Sequence, residues 1–143
     1  MVTIAISNWK GGSFKTTTTA NLGAYFAKKG YKVLLVDMDP QFNLSQSFQI
    51  VETDEQEIET IYEALINKKK MPVYNVADNL DLAPSGFDMI GVERALGDII
   101  HKSEDRLKRA LKELDYDLVL IDFPPSISRI TVNAFSASDY IIA

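Results

Sequence analysis

Short runs of apolar, β-branched residues alternate with helical patterns along this 143-residue chain, and this alternation constrains the fold more than any other feature. Such runs are typical of strands that are buried on both faces, and intervening helices favour parallel connections. We therefore expect an α/β protein with three layers, in which helices cover both faces of a mostly parallel sheet. Ligands of such sheets bind at the carboxyl ends of the strands. The predicted strands are 2–7, 31–36, 80–83, 118–121 and 140–143.

Helical patterns fill the stretches between these strands. Gly30 predicts the end of the first helix, because glycine accepts the left-handed backbone that follows a helix C-terminus. Ser103 has the residue type of an N-cap, and acidic residues follow it in the first turn. The predicted helices are 16–29, 55–70, 89–100, a segment that starts at Ser103, and 127–137.

Composition excludes several classes of protein. The chain has no cysteine, so disulfides and thiolate metal sites are excluded, and we expect a cytoplasmic protein. It has neither the pattern of a signal peptide nor an apolar stretch of the ~20 residues that a membrane span needs. The net charge of −5 disfavours binding to nucleic acid unless a basic patch is present locally or lies outside this chain.

The chain has the length of one domain, and we predict that residues 1–143 form a nucleotide-binding domain. It ends inside an apolar run at 141–143. We expect the natural protein to continue beyond this point, because a half-made strand leaves its neighbours uncovered.

The segment 10–17, K-G-G-S-F-K-T-T, follows the first strand and opens the first helix. Backbone N–H groups at a helix N-terminus bind anions, and glycines let the backbone wrap closely around phosphates. Lys15 is placed to reach the β- and γ-phosphates, the Thr16 hydroxyl to bind Mg²⁺, and Thr17 to support the α-phosphate side. These features predict a phosphate-binding loop.

The loop departs from the general pattern G-x-x-x-x-G-K-[ST], because Trp9 and Phe14 stand at its two glycine positions. A bulky residue with positive φ at position 14 costs about 1–2 kcal/mol. The alternative is a Gly-Gly turn that precedes a lysine at a helix start, with no role in phosphate binding.

Carboxylates follow two of the predicted strands. Asp37 and Asp39 come after the second strand, and Asp122 comes after strand 118–121. Side chains two apart lie on the same side of a strand. Asp37 and Asp39 aim at one site only if the strand end curls, and the alternative is a solvated acidic strand end.

Three segments together resemble the ParA/MinD family of P-loop ATPases. The loop resembles its deviant Walker A motif, K-G-G-x-G-K-[ST], in which an extra lysine precedes the glycines. The segment 37–41, D-M-D-P-Q, resembles the family's D-x-D-P-Q, and 122–126, D-F-P-P-S, resembles its Walker B motif D-x-P-P-S. The resemblance covers essentially the whole chain, but only about the first half of a typical ParA-type protein.

The resemblance implies a role for each matching residue. Lys10 would cross a dimer interface to the partner's phosphates, whereas Lys15 would act on the phosphates of its own subunit. Asp39 would orient the attacking water. Thr16 would bind Mg²⁺ directly, and Asp37 and Asp122 would hold it through waters. The implied nucleotide-binding residues are Lys10, Gly11, Gly12, Ser13, Phe14, Lys15, Thr16 and Thr17.

The resemblance also implies a function, namely an ATPase that binds ATP and Mg²⁺, forms a homodimer on ATP and partitions plasmid or chromosomal DNA. The implied partners are a ParB-type protein and non-specific DNA, the latter through residues mostly outside this chain, with a nucleoid-associated location. The alternative is a nucleotide-binding and dimerisation module with impaired or no hydrolysis, because Phe14 replaces the loop glycine and the C-terminal half of a ParA-type protein is not part of this sequence. D-x-D-P-Q favours ParA over MinD, and the absence of cysteine argues against an iron-protein-like reductase.

Other polar residues have simpler interpretations. His101, the only histidine, is predicted to be solvated or to cap a helix. The basic run 68–70 lies at a predicted helix end, where the helix dipole favours cations. Candidate DNA contacts that are more simply explained as surface residues are Arg94, Arg106, Arg109 and Arg129.

Overall fold

One six-stranded sheet forms the centre of the protein in the computed structural model, which describes residues 1–7 and 14–143. The strand order is β3-β4-β2-β5-β1-β6. Neighbouring strands are parallel except for β3, which pairs with β4 in the antiparallel sense. The strands are β1 (Val2–Ile6), β2 (Val33–Asp37), β3 (Tyr74–Ala77), β4 (Leu80–Ala83), β5 (Leu118–Asp122) and β6 (Tyr140–Ile142).

Helices cover both faces of the sheet, which confirms the predicted three-layer α/β fold. Alternate residues of β2 face two separate cores, with Leu35 towards α1 and Leu34 towards α3 to α6. In the part of the chain that the structure describes, no helix has the length and hydropathy needed to span a bilayer. The helices are α1 (Lys15–Lys28), α2 (Asn43–Ser47), α3 (Tyr62–Leu65), α4 (Val92–Gly97), α5 (Arg106–Leu111) and α6 (Arg129–Ala137).

The register of the central strands brings two carboxylates to one edge. β5 lies between β1 and β2, so that Asp122 is aligned with Ile6 on one side and Asp37 on the other. Helix α1 begins at Lys15, eight residues after Ser7, the first residue beyond β1. The candidate site therefore forms at the carboxyl edge of the sheet, as expected for parallel sheets.

The end of α1 follows the prediction. Gly30 has φ 93°, and its N–H donates to the carbonyl of Ala27 at 3.0 Å. A residue with a side chain would be strained at this φ, so glycine is required there by the backbone.

The predicted helix 55–70 is wrong over most of its length, since only the single turn of α3 is helical. Backbone donors before this turn have partners elsewhere in the fold. The Glu59 N–H donates to the Tyr74 hydroxyl at 2.9 Å, and the Ile61 N–H donates to the Pro84 carbonyl at 2.8 Å. Tertiary hydrogen bonds thus replace the helical ones that the apolar spacing predicted.

Two further helices differ from their predicted bounds. The predicted helix 89–100 overlaps a 3₁₀ turn, Phe87–Gly91, which is followed by α4, and α4 ends at Gly97. Ser103 is not an N-cap of a long helix, because it opens a short 3₁₀ turn, Ser103–Asp105, and α5 starts only at Arg106. The residue before that turn, Lys102, has φ 56°, which breaks the helical path.

Strand β3 and helix α2 were not predicted. β3 joins β4 through Asp78 and Asn79, and Asn79 has φ 58°. An Asp-Asn pair between two short apolar stretches is a hairpin signal, because these residues tolerate the left-handed backbone of tight turns. The hairpin could therefore have been predicted, whereas the five residues of α2 carry no clear pattern.

Candidate functional site

The predicted phosphate loop is only partly visible in the described residues. Residues 8–13 lie outside them, and these include Trp9 and the predicted nucleotide-binding residues Lys10, Gly11, Gly12 and Ser13. The described part begins at Phe14, which has φ 58° and ψ 20° and precedes the first residue of α1. Its side chain is 77% exposed, so little packing offsets the backbone strain of about 1–2 kcal/mol.

Lys15 points from the first turn of α1 to the end of β5. Its Nζ atom donates a hydrogen bond to the carbonyl oxygen of Phe123 and lies 3.5 Å from Oδ1 of Asp122. The lysine side chain is only 10% exposed. The ammonium group is therefore held at the carboxyl edge of the sheet, next to the start of α1.

Thr16 and Asp122 form the closest side-chain pair in this site. The Thr16 hydroxyl donates to Oδ2 of Asp122 at 2.6 Å. Asp122 is fully buried, and its Oδ1 has no hydrogen-bond partner within the described part of the chain. Burial raises the pKa of Asp122, while the bonds from Thr16 and the charge of Lys15 act in the opposite direction. Thr17 lies in the same turn of α1 and is exposed.

Asp37 organises the turn that follows β2. It is fully buried and accepts hydrogen bonds from the N–H and hydroxyl of Ser45, at 2.9 and 2.7 Å, and from the Asp39 N–H at 3.1 Å. Burial outweighs these bonds and raises the pKa of Asp37 to about 7. In this structure Asp37 acts on the backbone of the turn, and its role towards Mg²⁺ stays a prediction.

Asp39 lies beyond the end of β2, where the chain turns. Its Oδ1 accepts the Gln41 N–H at 2.9 Å, and its carbonyl oxygen accepts the Ser85 hydroxyl at 2.7 Å. Asp39 is only 9% exposed, and its negative charge contributes to the raised pKa of Asp122. The strand end thus curls, and the alternative of a solvated acidic strand end is wrong for both Asp37 and Asp39.

An open cavity of about 350 Å³ adjoins Asp39. Pro124, Pro125 and Ser126, which follow β5, form its opposite wall. The hydroxyl of Thr131 donates to the carbonyl of Ser126 and so links the 124–126 segment to α6. The cavity provides space for a small molecule or for water next to the Asp39 carboxylate.

Glu93 is a residue of this region that the sequence analysis missed. From α4 it accepts the Arg129 N–H, at 2.9 Å to Oε1 and 3.0 Å to Oε2, and the Ile130 N–H at 3.4 Å. These are N–H groups that a helix leaves without internal partners, and a carboxylate there also interacts favourably with the helix dipole. No sequence pattern links positions 36 residues apart, so this cap was not predictable.

We expect Glu93→Ala to lower the free energy of unfolding by about 1 kcal/mol, the usual effect of losing a helix cap. The side chain is 41% exposed, so the loss should shrink at high salt. Urea unfolding at two salt concentrations measures this effect. The control is Glu52→Ala at an exposed position, and equal losses in both variants would argue against a capping role.

A divalent metal ion fits this site if water and phosphate oxygens supply most of its ligands. In the described ranges, no group of three or more histidine, cysteine or acidic side chains comes together. Mg²⁺ commonly takes one or two protein ligands and completes its shell with water and substrate phosphates. The Thr16 hydroxyl and the Oδ1 atom of Asp122, which accepts no hydrogen bond from the described residues, are oxygen atoms suited to such a site.

Comparison with known proteins identifies the family. A family model described as an AAA domain, AAA_31, matches residues 1–143. The chain belongs to the AAA_31 family. The sporulation initiation inhibitor protein Soj of Bacillus subtilis is 40% identical over 144 residues, which cover 97% of this chain and 56% of Soj.

Two solved structures support the same placement of this AAA_31 chain. A plasmid partition protein of Borrelia burgdorferi bound to AMPPNP has a TM-score of 0.86 and 32% identity, over 98% of this chain and 60% of that one. Cobyrinic acid a,c-diamide synthase of Mycobacterium smegmatis, with an ATP analogue and magnesium, has a TM-score of 0.89 and 34% identity. That match covers 99% of this chain and 58% of that protein.

These matches confirm the predicted ParA/MinD-type relationship and the P-loop fold. The AAA_31 chain spans a little over half the length of these relatives. The Mycobacterium protein is named for a different reaction from the partition protein, so the shared fold does not by itself decide the function.

The remaining polar residues have the environments of ordinary surface groups. His101 is exposed, and it lies between α4 and the next 3₁₀ turn, not at a helix end. Arg129 pairs with Glu93 at 3.5 Å, and Arg94 is exposed. None of these three side chains lies among the contacts that surround Lys15 and Asp122.

Proposed function

We propose that this chain is the nucleotide-binding domain of a ParA-type ATPase, which binds ATP with Mg²⁺, forms a dimer on ATP and acts in plasmid or chromosome partitioning. The observation that carries the proposal is the convergence of Lys15 and Thr16, from the start of α1, on Asp122 at the end of β5. A cation, a hydroxyl and a carboxylate at the N-terminus of a helix are the parts that a site for a nucleotide triphosphate requires.

Lys15 would hold the β- and γ-phosphates. In the structure its ammonium group contacts the Phe123 carbonyl and Asp122, and it lies beside the amino end of a 14-residue helix. The partial positive charge of that helix end favours an anion at the same place. Thr17 is exposed in the same turn and would contact the α-phosphate side. We assign to Lys10, Gly11, Gly12 and Ser13, which lie outside the described residues, the phosphate contacts that their motif implies.

Thr16 and Asp122 would hold Mg²⁺. When bound, the metal supplies positive charge that neutralises the triphosphate. Within the described residues, the buried Oδ1 of Asp122 accepts no hydrogen bond and has the Lys15 ammonium 3.5 Å away, so it keeps lone pairs that a metal ion or a metal-bound water can use, which supports this assignment. Asp37 would contact the metal ion through a bound water, and it would hold in place the turn that follows β2.

Asp39 would position the water that attacks the γ-phosphate. Its carboxylate borders the cavity formed with the 124–126 segment, and its backbone is fixed by Ser85. Fixed placement of the attacking water is the main demand of phosphoryl transfer to water. Glu93 would assist by holding α6, whose start follows that segment.

The larger assembly follows from the family. We propose that Lys10 acts across a homodimer interface, and that a ParB-type partner and non-specific DNA complete the system in the cytoplasm, on the nucleoid. The Borrelia protein, named for plasmid partition and crystallised with AMPPNP, supports the partitioning role and the nucleotide.

Hydrolysis of ATP by the purified protein tests the proposal. We expect phosphate release with Mg²⁺ and none with EDTA, because the charges of Lys10 and Lys15 alone do not neutralise the triphosphate. Equilibrium binding of labelled ATP, measured in the same buffers, separates a failure to bind from a failure to hydrolyse. Absence of both would contradict the proposal.

A second candidate is a nucleotide-binding and dimerisation module with impaired hydrolysis. The observation that favours it is Phe14, a bulky residue with φ 58° at the position where the family has glycine. Phe14 immediately precedes Lys15 in the chain, so a change in its backbone would act directly on the proposed phosphate-binding lysine.

Phe14→Gly distinguishes these candidates. Glycine removes about 1–2 kcal/mol of left-handed strain but loses about 0.5–1 kcal/mol in chain entropy, so the variant should be more stable by up to about 1 kcal/mol. If the ATPase proposal holds, the hydrolysis rate changes little, because the strain is already present in the folded protein.

Lys102→Gly is the matched control, because Lys102 is exposed and has a similar φ of 56° far along the chain. It should gain similar stability in thermal unfolding and leave hydrolysis unchanged. A gain of roughly tenfold in the hydrolysis rate of Phe14→Gly alone, equivalent to about 1.4 kcal/mol, would favour the impaired module instead.

A further inference from the structure

A basic groove of about 200 Å³ lies between the segment that follows α3 and the helix α5. None of the residues that line it belongs to the candidate nucleotide site. We call this feature the basic groove, and its lining residues are Ala64, Lys68, Lys69, Arg106, Arg109, Ala110 and Glu113.

Positive charge predominates in the basic groove. Lys69 is neutralised by Glu63, whose Oε2 lies 2.6 Å from its Nζ, and this contact lowers the pKa of Glu63. Within the described residues, Lys68, Arg106 and Arg109 have no carboxylate oxygen within 4.0 Å. Glu113 therefore faces three cations without forming a close ion pair with any of them.

Arg106 is the most informative member of the groove. Its Nε atom is buried and has no hydrogen-bond partner in the part of the chain that the structure describes. A buried N–H without an acceptor is unfavourable, and a guanidinium group binds phosphate oxygens through two parallel hydrogen bonds. A water molecule could satisfy one N–H group, but it would leave the surrounding positive charge unbalanced.

The acidic character of the chain makes this groove stand out. The net charge of −5 disfavours polyanions near the protein as a whole, so three cations at one cavity that form no ion pair within the described residues are a local exception. From sequence alone, the 68–70 run is explained as a solvated helix end, and Arg106 and Arg109 are explained as surface residues. Neither interpretation accounts for the buried Nε–H of Arg106, which has no hydrogen-bond acceptor among the described residues.

We propose that the basic groove binds a phosphate group of a ligand other than the nucleotide at the Lys15 site. Phosphate suits it better than a carboxylate does, because phosphate carries more charge and a third acceptor oxygen for the several donors of the groove. The group can belong to the backbone of a nucleic acid or to a small phosphorylated molecule. The inference stands on residues separate from those of the proposed ATPase.

A charge-reversal pair tests the groove against nucleic acid. In the protein saturated with AMPPNP and Mg²⁺, Lys68→Glu/Arg109→Glu should weaken binding of a fluorescein-labelled DNA duplex roughly tenfold, by fluorescence anisotropy. The dependence of log K on log salt should also lose a slope of about 2, one for each phosphate contact removed. ATP binding and hydrolysis should stay at the original level, which separates this result from a failure of the ATPase proposal.

The control variant Lys28→Glu/Lys108→Glu changes the net charge equally at exposed positions outside the groove. Its binding to the duplex should stay near that of the original protein. An equal loss in both double variants would exclude the groove as a DNA contact, because total charge alone would then decide the affinity, and together with no response to inorganic phosphate it would overturn the proposal.

Inorganic phosphate tests the small-molecule source. The Nε–H resonance of Arg106, identified by its loss in Arg106→Lys, should shift on addition of phosphate to the AMPPNP-saturated protein. The shift should disappear in Lys68→Glu/Arg109→Glu. A phosphate response without a groove-dependent loss of DNA binding supports the proposal with a small molecule as the ligand. No response to either probe overturns it.

Discussion

Replacing Lys15 with alanine is expected to lower the rate of ATP hydrolysis about 100- to 1000-fold, the usual effect of removing one group that stabilises charge in a transition state. Lys15 lies at the amino end of α1 and is 10% exposed, so its ammonium group is held close to where the phosphates would lie. ATP binding should weaken as well, since the same group contacts the ground state. Phosphate release and ATP titration, measured together, give both effects.

The matched control for this variant is Lys28→Ala at the other end of the same helix. Lys28 is exposed and makes none of the contacts of Lys15, so its loss should leave hydrolysis unchanged. Both variants should keep the far-ultraviolet circular dichroism of the original protein. Hydrolysis that continues at full rate in Lys15→Ala would remove the basis for the assigned site.

The second large effect is expected for Asp39→Asn. Asparagine keeps an oxygen that can accept the Gln41 N–H, so the turn after β2 should remain in place. The neutral amide cannot orient and polarise water as a carboxylate does, and kcat should fall about 100-fold or more. KM for ATP should change little, because the Asp39 side chain contacts neither Lys15 nor Thr16 in the structure.

Asp78→Asn provides the control for Asp39, because Asp78 is exposed in the β3–β4 turn. Its kcat and KM should equal those of the original protein. A rise in KM of Asp39→Asn with an unchanged kcat would contradict the assigned role and would place Asp39 among the binding groups instead.

The central part of the fold could be predicted because the apolar pattern of its strands and their places in a parallel sheet favour the same structure. β2 and β5 are continuous apolar runs that end at Asp37 and Asp122. These two aspartates lie directly opposite each other on the neighbouring strands. Lys15 and Thr16, at the start of α1, lie next to Asp122 for the same topological reason. The expectation that these segments meet at one edge therefore follows from the order of strands and helices in a parallel sheet.

The peripheral parts could not be predicted because tertiary contacts decide them. The pattern over 55–70 favours a helix, but Tyr74 and Pro84 bind the backbone of its first half. The cap that Glu93 places on α6 joins residues that have no relation in sequence. The chain curls after β2, and this curl sets the positions of Asp37 and Asp39. It depends on hydrogen bonds from Ser45 and Ser85, which lie in different parts of the chain.

The ion pair between Lys15 and Asp122 has a thermodynamic consequence for how a nucleotide and a metal ion enter together. A phosphate must compete with Asp122 for the lysine, and a metal ion must compete with the lysine for Asp122. The ligand that binds first breaks the Lys15–Asp122 ion pair. The second ligand then binds without the free-energy cost of breaking it. Linkage then requires each to raise the affinity of the other by an equal factor, so that magnesium and ATP bind with positive cooperativity.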